Sequence, residues 1–118
     1  MREGFLVMIE QIIKRDGRTA PFELDKIANA IFGAAQSVGG QDYEMAHELA
    51  EQVEKELEKT VREKIPTVEQ IQDTVETVLI ESGHARTAKK YILYRNERTR
   101  VREMNTRLMK VYEDLTFK

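Results

Sequence analysis

The sequence predicts an α+β domain that is mostly α: a four-helix bundle capped by a small N-terminal β-hairpin or three-stranded sheet. Three observations predict it. Apolar residues recur at helical spacing in four separate segments that follow Phe22. Glycine or proline breaks stand between those segments. Asp16-Gly17, flanked by β-forming residues, is a hairpin signal near the N-terminus. A length of 118 residues, 41% hydrophobic and 34% charged, fits one small domain with wet helical faces.

Phe5 to Lys14 reads as extended, because Val7, Ile9, Ile12 and Ile13 favour strands. Asp16-Gly17 suits a type I′ turn, which needs positive φ at both central positions. Thr19 to Phe22 returns as the second strand. Pro21 cannot donate to a ladder, which places that strand at an edge. A helix then runs from about Glu23 to Val38, with Leu24, Ile27, Ala28, Ile31, Ala35 and Val38 in one stripe. Gly39-Gly40 ends it. Asp42 caps a second helix that reaches about Val61 and buries Ala46, Leu49, Ala50, Val53, Leu57 and Val61. Lys64-Ile65-Pro66 is expected to add a very short third strand.

Thr67 opens the third helix, with Gln70 completing a capping box. Val68, Ile71, Val75, Val78 and Leu79 form its buried face, and Gly83 stops it. The fourth helix begins near His84 or Ala85. It is expected to bury Ala85, Ala88 and Ile92, with Leu93 or Tyr91 beside them. Past Tyr94 the apolar pattern fades, so that end should project from the core as a charged helix or a linker.

Composition removes several classes of function. There is no cysteine, hence no disulfide, zinc ribbon, iron–sulfur ligation or thiyl chemistry within the chain. No apolar run reaches membrane-spanning length. The N-terminus lacks a small-residue cleavage site and meets Glu10 early, so it reads as no signal peptide, and a cytoplasmic home is expected. There is no GxxxxGK[ST] loop, no nucleophile–base pair and no acidic cluster of metal-binding pattern. The chain therefore reads as a binding domain, not an enzyme. Its net charge of −2 divides into a Glu-rich stretch at 42–63 and an Arg/Lys-rich one at 84–110. That balance argues against bulk affinity for nucleic acid and leaves a helical nucleic-acid-binding or adaptor domain as a lesser alternative.

The residues that can hold an anion cluster around the hairpin. Lys14 and Arg15 sit at a strand end beside the turn, and Lys26 lies in the first turn of the first helix. Arg offers phosphate a planar fork and Lys a point charge, while a helix start adds backbone amides. Neighbours in a strand face opposite ways, so Arg15 faces away from Lys14 unless the turn rotates it. Thr67 can offer a hydroxyl and an N–H at another helix start. Tyr91, Tyr94, Arg95 and Arg98, at intervals of three and four, can share one face of the fourth helix. Each has a plainer reading: a solvated turn, a surface lysine, a helix cap, tyrosines at the rim of the core. Their order along the chain is what adds up.

That order resembles the ATP-cone, the nucleotide-sensing module of ribonucleotide reductases and of their transcriptional repressor. The resemblance rests on Lys14-Arg15-Asp16-Gly17, Pro21-Phe22 and Leu24-Asp25-Lys26-Ile27. It continues in Ile65-Pro66-Thr67 with Val68-Glu69-Gln70-Ile71, and in Ala88-Lys89-Lys90-Tyr91-Ile92-Leu93-Tyr94-Arg95. It covers about residues 9–103. The tail from Arg102 to Lys118 resembles the segment after the cone in anaerobic, glycyl-radical ribonucleoside-triphosphate reductases. The repressor places a four-cysteine zinc ribbon before its cone and is the alternative.

The resemblance implies an allosteric domain at 1–103 and, at 104–118, a linker or the start of a catalytic region. It implies ATP or dATP as effector, with Mg2+, ATP permitting activity and dATP inhibiting it. Partners would be the catalytic domain of the parent reductase and, through cone–cone contact, a second copy; no membrane or direct nucleic-acid contact is expected. Carried over by motif, the nucleotide contacts are Lys14, Arg15, Lys26, Thr67, Tyr94 and Arg98, the backbone of Ile12 and Ile13 beside the adenine, and, more weakly, Arg95 and Asn29. Ala20 stands where many cones carry a base-reading Glu, and Glu23 is the substitute at hand.

Overall fold

Local chemistry sets most boundaries in the computed structural model, which describes residues 9–61 and 65–116. Two short strands, β1 (Gln11–Ile13) and β2 (Thr19–Pro21), pair antiparallel with Ile12 opposite Ala20. The expected extension of β1 back to Phe5 lies largely outside the described residues. The turn differs from expectation. Lys14 N–H donates to the Arg18 carbonyl at 2.7 Å and Gly17 N–H to the Lys14 carbonyl at 2.9 Å. Gly17 has φ +90°. Arg15, Asp16 and Gly17 thus form a longer loop ending in a left-handed glycine, not a two-residue type I′ turn. The Asp16 carboxylate accepts from the Arg18 backbone N–H at 3.1 Å, which favours the longer loop.

Among the described residues the sheet has two strands, fewer than the upper expectation of three. Lys64 lies outside the described residues. In place of a third strand, a single parallel bridge joins Ile13 to Thr67, and Ile13 N–H donates to the Pro66 carbonyl at 2.8 Å. This bridge ties the hairpin to the start of the third helix.

Among the described residues four helices follow: α1 (Leu24–Gln36), α2 (Tyr43–Thr60), α3 (Val68–Glu81) and α4 (Ala85–Thr116). α1 stops two residues earlier than expected, where Gly39 takes φ +95° and Gly40 N–H folds back to the Ala35 carbonyl. α2 begins at Asp42, whose carboxylate accepts from Met45 N–H. α3 begins with the complete Thr67–Gln70 capping box. The expected stripes of α1, α2 and α3 meet in one core, with Ile31, Val53, Leu57, Val75 and Leu79 fully buried. Each such side chain contributes about 1.5–3 kcal/mol.

α4 departs from expectation in its inner face. Ala85 and Leu93 are exposed, and Ile92 is half-buried. The buried set is Thr87, Ala88 and Tyr91. Small residues and aromatic ones lie on both faces of this segment, so periodicity alone does not choose between them. The tie is broken further along. Arg95, one turn past Tyr91, is bound by Asp73 and Glu76 of α3. Beyond it α4 runs on as a single helix through the 103/104 junction, 32 residues in all and about 48 Å long. Val101, Met104, Leu108 and Val111 are exposed along it.

Candidate functional site

The alternation of β1 puts Ile12 and Lys14 on the side of the hairpin that faces the helices. Together with the start of α1 and one face of α3 they enclose a cavity of about 240 Å³. Its polar side chains are Lys14, Glu23, Lys26, Gln72 and Tyr91, and its apolar wall includes Ile12, Pro21, Phe22 and Val68. α1 starts at Glu23 without a side-chain cap; the Lys26 N–H turns back to the Glu23 carbonyl at 3.1 Å, which leaves the Leu24 and Asp25 amides without an acceptor among the described residues. Lys26 Nζ lies 3.7 Å from the Glu23 carboxylate. The sequence-derived residues Ile12, Lys14, Glu23 and Lys26 are thus brought together.

A longer groove of about 690 Å³ adjoins this cavity, with Ala30 and Tyr91 lining both. Asn29, Lys90, Tyr94 and Glu97 line the groove. Tyr94 is 59% exposed there. The Asn29 side-chain oxygen accepts from the Tyr43 hydroxyl at 3.1 Å. Tyr91 sits at the junction, and burial pushes its phenol up to about 12. It therefore stays an uncharged hydroxyl throughout the physiological range.

Other expected contacts have protein partners. The turn does rotate Arg15 toward α3, where its guanidinium binds Glu69 and donates to the Gln72 side chain at 3.2 Å. Arg15 thereby reaches the cavity through Gln72. Arg95 is held at 2.9 Å by Asp73 and 2.6 Å by Glu76. Burial opposes its charge, and those two hydrogen-bonded carboxylates more than offset this, raising its pKa. Thr67 uses its N–H and its hydroxyl oxygen in the capping box, leaving the hydroxyl proton to offer. The Ile13 N–H is taken by Pro66. Arg98 is exposed on α4 and lines neither space.

Gln72 is a cavity residue that the sequence reading does not single out, while Tyr91, named there as part of one α4 face but not as a nucleotide contact, lines the cavity as well. Gln72 borders the buried stripe just after Ile71, and a polar side chain at that border is a signal. The choice between Tyr91 and Leu93 for the inner face of α4 is made only by the packing, which buries Tyr91. Among the described residues no group of three or more His, Asp or Glu is placed to hold a metal ion. The donor set, two lysines with amides over an apolar wall, suits an anion attached to a flat apolar group.

Comparison with known proteins gives this geometry its context. The family model described as ATP cone domain matches residues 10–100. The chain is 44% identical over 113 residues to the vitamin B12-dependent ribonucleoside-diphosphate reductase of Thermoplasma acidophilum, covering 92% of this chain and 14% of that protein. It is 38% identical over 104 residues to the anaerobic ribonucleoside-triphosphate reductase of Haemophilus influenzae, covering 88% and 15%. It is 38% identical over 96 residues to the ribonucleoside-diphosphate reductase subunit alpha of Treponema pallidum, covering 77% and 11%. The chain therefore spans a small part of each of these relatives. With a cone matched across residues 10–100 and the hairpin, bundle and basic cavity in place, the chain belongs to the ATP cone domain family.

Proposed function

We propose that this chain is the ATP- and dATP-sensing regulatory domain of a ribonucleotide reductase, with ATP permitting activity and dATP inhibiting it. The observation that carries this reading is the convergence of Lys14 and Lys26 on one apolar-walled cavity at the open start of α1. The triphosphate is held by Lys14 and Lys26, with Mg2+ carried on its oxygens. The base lies against Ile12 and Phe22, near Glu23, which accepts from an exocyclic amine. Asn29 and Tyr94 meet the part of the ligand that passes Ala30 and Tyr91. Arg15 and Arg95 act as positioning residues, since both are already held by carboxylates of α3.

ATP and dATP differ by one 2′-hydroxyl, and a ligand shifts an equilibrium only by its differential affinity for two states. The second state belongs to the parent enzyme, whose catalytic region would follow residues 104–118. The exposed apolar residues of that stretch, Met104, Leu108 and Val111, support a helix that is covered in the parent. The parent resembled by the tail is the anaerobic, glycyl-radical class. The 44% identity to a vitamin B12-dependent reductase favours a second reading, a B12-dependent parent.

Isothermal titration calorimetry with ATP, dATP and GTP in the presence of Mg2+ tests the proposal. Saturable adenine-nucleotide binding with weak or absent GTP binding is expected. One equivalent would fill the hairpin cavity alone, and two would include the groove. No heat from any of the three with a folded chain would overturn the reading.

A further inference from the structure

The far end of the bundle, where α1 stops and α2 and α4 begin, encloses a cavity of about 510 Å³. That volume falls within the roughly 300–1,000 Å³ of small-molecule sites. It shares no lining residue with the hairpin cavity or the groove. Ile31, Val38, Met45 and Leu49 form apolar walls, while Arg86 and Thr87 lie at the start of α4.

The two helix starts here differ. α2 is closed by the Asp42 carboxylate, which accepts from Met45 N–H at 3.0 Å. α4 has no acidic residue in its first turn. Among the described residues, the backbone N–H groups of Ala85, Arg86 and Thr87 have no acceptor outside the helix. These amides are the positive end of a long helix dipole.

Thr87 supplies an independent observation. It is 8% exposed, the buried polar residue among those described. Thr60, Thr74 and Thr106 each donate to the carbonyl four residues back. Thr87 has no such bond, and the residue four back is Gly83, in the left-handed turn at φ +86°. Thr87 lines the cavity and is buried, and among the described residues its hydroxyl makes no hydrogen bond; such a group is costly unless a ligand or water supplies a partner.

We infer that this far cavity binds a small monoanion carried on an apolar body, a carboxylate with a short hydrocarbon part. The anionic head takes the amides of Ala85, Arg86 and Thr87, the Thr87 hydroxyl and the Arg86 guanidinium. The hydrocarbon lies along Ile31, Val38, Met45 and Leu49. One arginine in a cavity that is also lined by Asp42 suits a single negative charge better than a triphosphate.

Sodium hexanoate is the probe, with acetate and hexanol as head-only and tail-only controls, in an amide NMR titration of the full chain at constant ionic strength. Saturable shifts of Gly83 through Ala88 are expected, with hexanoate at least ~10-fold tighter than acetate, because each buried methylene strengthens binding several-fold. Arg86→Gln and Thr87→Val should each weaken hexanoate about 5-fold or more. Thr87→Val keeps the side-chain shape and removes the hydroxyl, so unchanged or raised resistance to urea would show that its loss of binding is not misfolding. Absence of saturation, equal binding of acetate and hexanoate, shifts confined to Lys14 and Lys26, or unchanged affinity in both variants would each overturn the inference.

Discussion

The two ends of the bundle pair a closed helix start with an open one. At the hairpin end α3 is closed by its Thr67–Gln70 capping box, while α1 enters from Glu23 without a side-chain cap. At the far end α2 is closed by Asp42, while the first amides of α4 have no outside acceptor among the described residues. The roofs differ. The hairpin covers its end and adds Lys14 to Lys26, two side-chain cations around one cavity. Among the described residues no strand lines the far end, which relies on Arg86 and backbone amides. A polyanion needs several cations and a monoanion needs few, so the same device of an open helix start suits two ligand classes.

The change that should break both ends at once is Leu79→Ala. Leu79 is fully buried, and its carbonyl accepts the His84 N–H that sets the entry of α4. Loss of about 3 kcal/mol in urea denaturation is expected. A loss below about 1 kcal/mol would mean that the core closes over the missing atoms. Lys14→Ala should separate the ends. ATP and dATP should weaken alike, by about 10-fold, because both share the triphosphate and charge-assisted hydrogen bonds contribute about 1.5–3 kcal/mol. Hexanoate binding at the far end should stay unchanged. Lys26→Ala should cost less than Lys14→Ala, since Glu23 already lies 3.7 Å from its ammonium. Equal affinity of the Lys14 variant and the parent chain by calorimetry would remove Lys14 from the site.

Much of this contrast is legible in the sequence, and the reason is local. Caps, glycine stops and periodic stripes act within a few residues, so Asp42, Thr67 with Gln70, Gly39 and the stripe of α2 sit where their chemistry puts them. Ile12, Lys14, Glu23 and Lys26 also come together as read, because the hairpin and the start of α1 are adjacent in the chain. What is not legible depends on partners far away in sequence. Arg15 and Arg95 look like free cations until Glu69, Asp73 and Glu76 are seen across the gap. The inner face of α4 is chosen by α3, not by the spacing of its own apolar residues. The hairpin loop is longer than two residues because Asp16 also binds the Arg18 backbone, a preference that Asp-Gly alone does not reveal.

Thr67→Ala sharpens the assignment at the closed helix of the hairpin end. It should cost about 1 kcal/mol of stability, the usual effect of losing such a cap. Nucleotide affinity measured well below the unfolding transition tells whether the remaining hydroxyl proton also meets the ligand. A drop in affinity beyond about 3-fold in folded protein would make Thr67 a contact as well as a cap, and a smaller drop would leave it a cap.

The smallest expected effect lies between the two ends, on the acidic face of α2. Burial raises the Glu54 pKa above the ordinary carboxylate value, with further contributions from Glu58 and Glu51. The folded state therefore binds the Glu54 proton more tightly than the unfolded chain does. Ionised Glu54 is a cost that is fully present above the raised folded value. That cost disappears as pH falls below the unfolded value. Asp16 has the opposite sign: hydrogen bonding from the Arg18 backbone lowers its pKa, so its contribution is present at neutral pH and is lost on acidification. Glu54→Gln should stabilise the bundle by about 0.3 kcal/mol at pH 7 in low salt, the scale of like-charge pairs on a helix after solvent screening. The gain should shrink with added salt and vanish near pH 3, where both residues are neutral. A gain of the same size at both pH values would show that packing, not charge, limits this face.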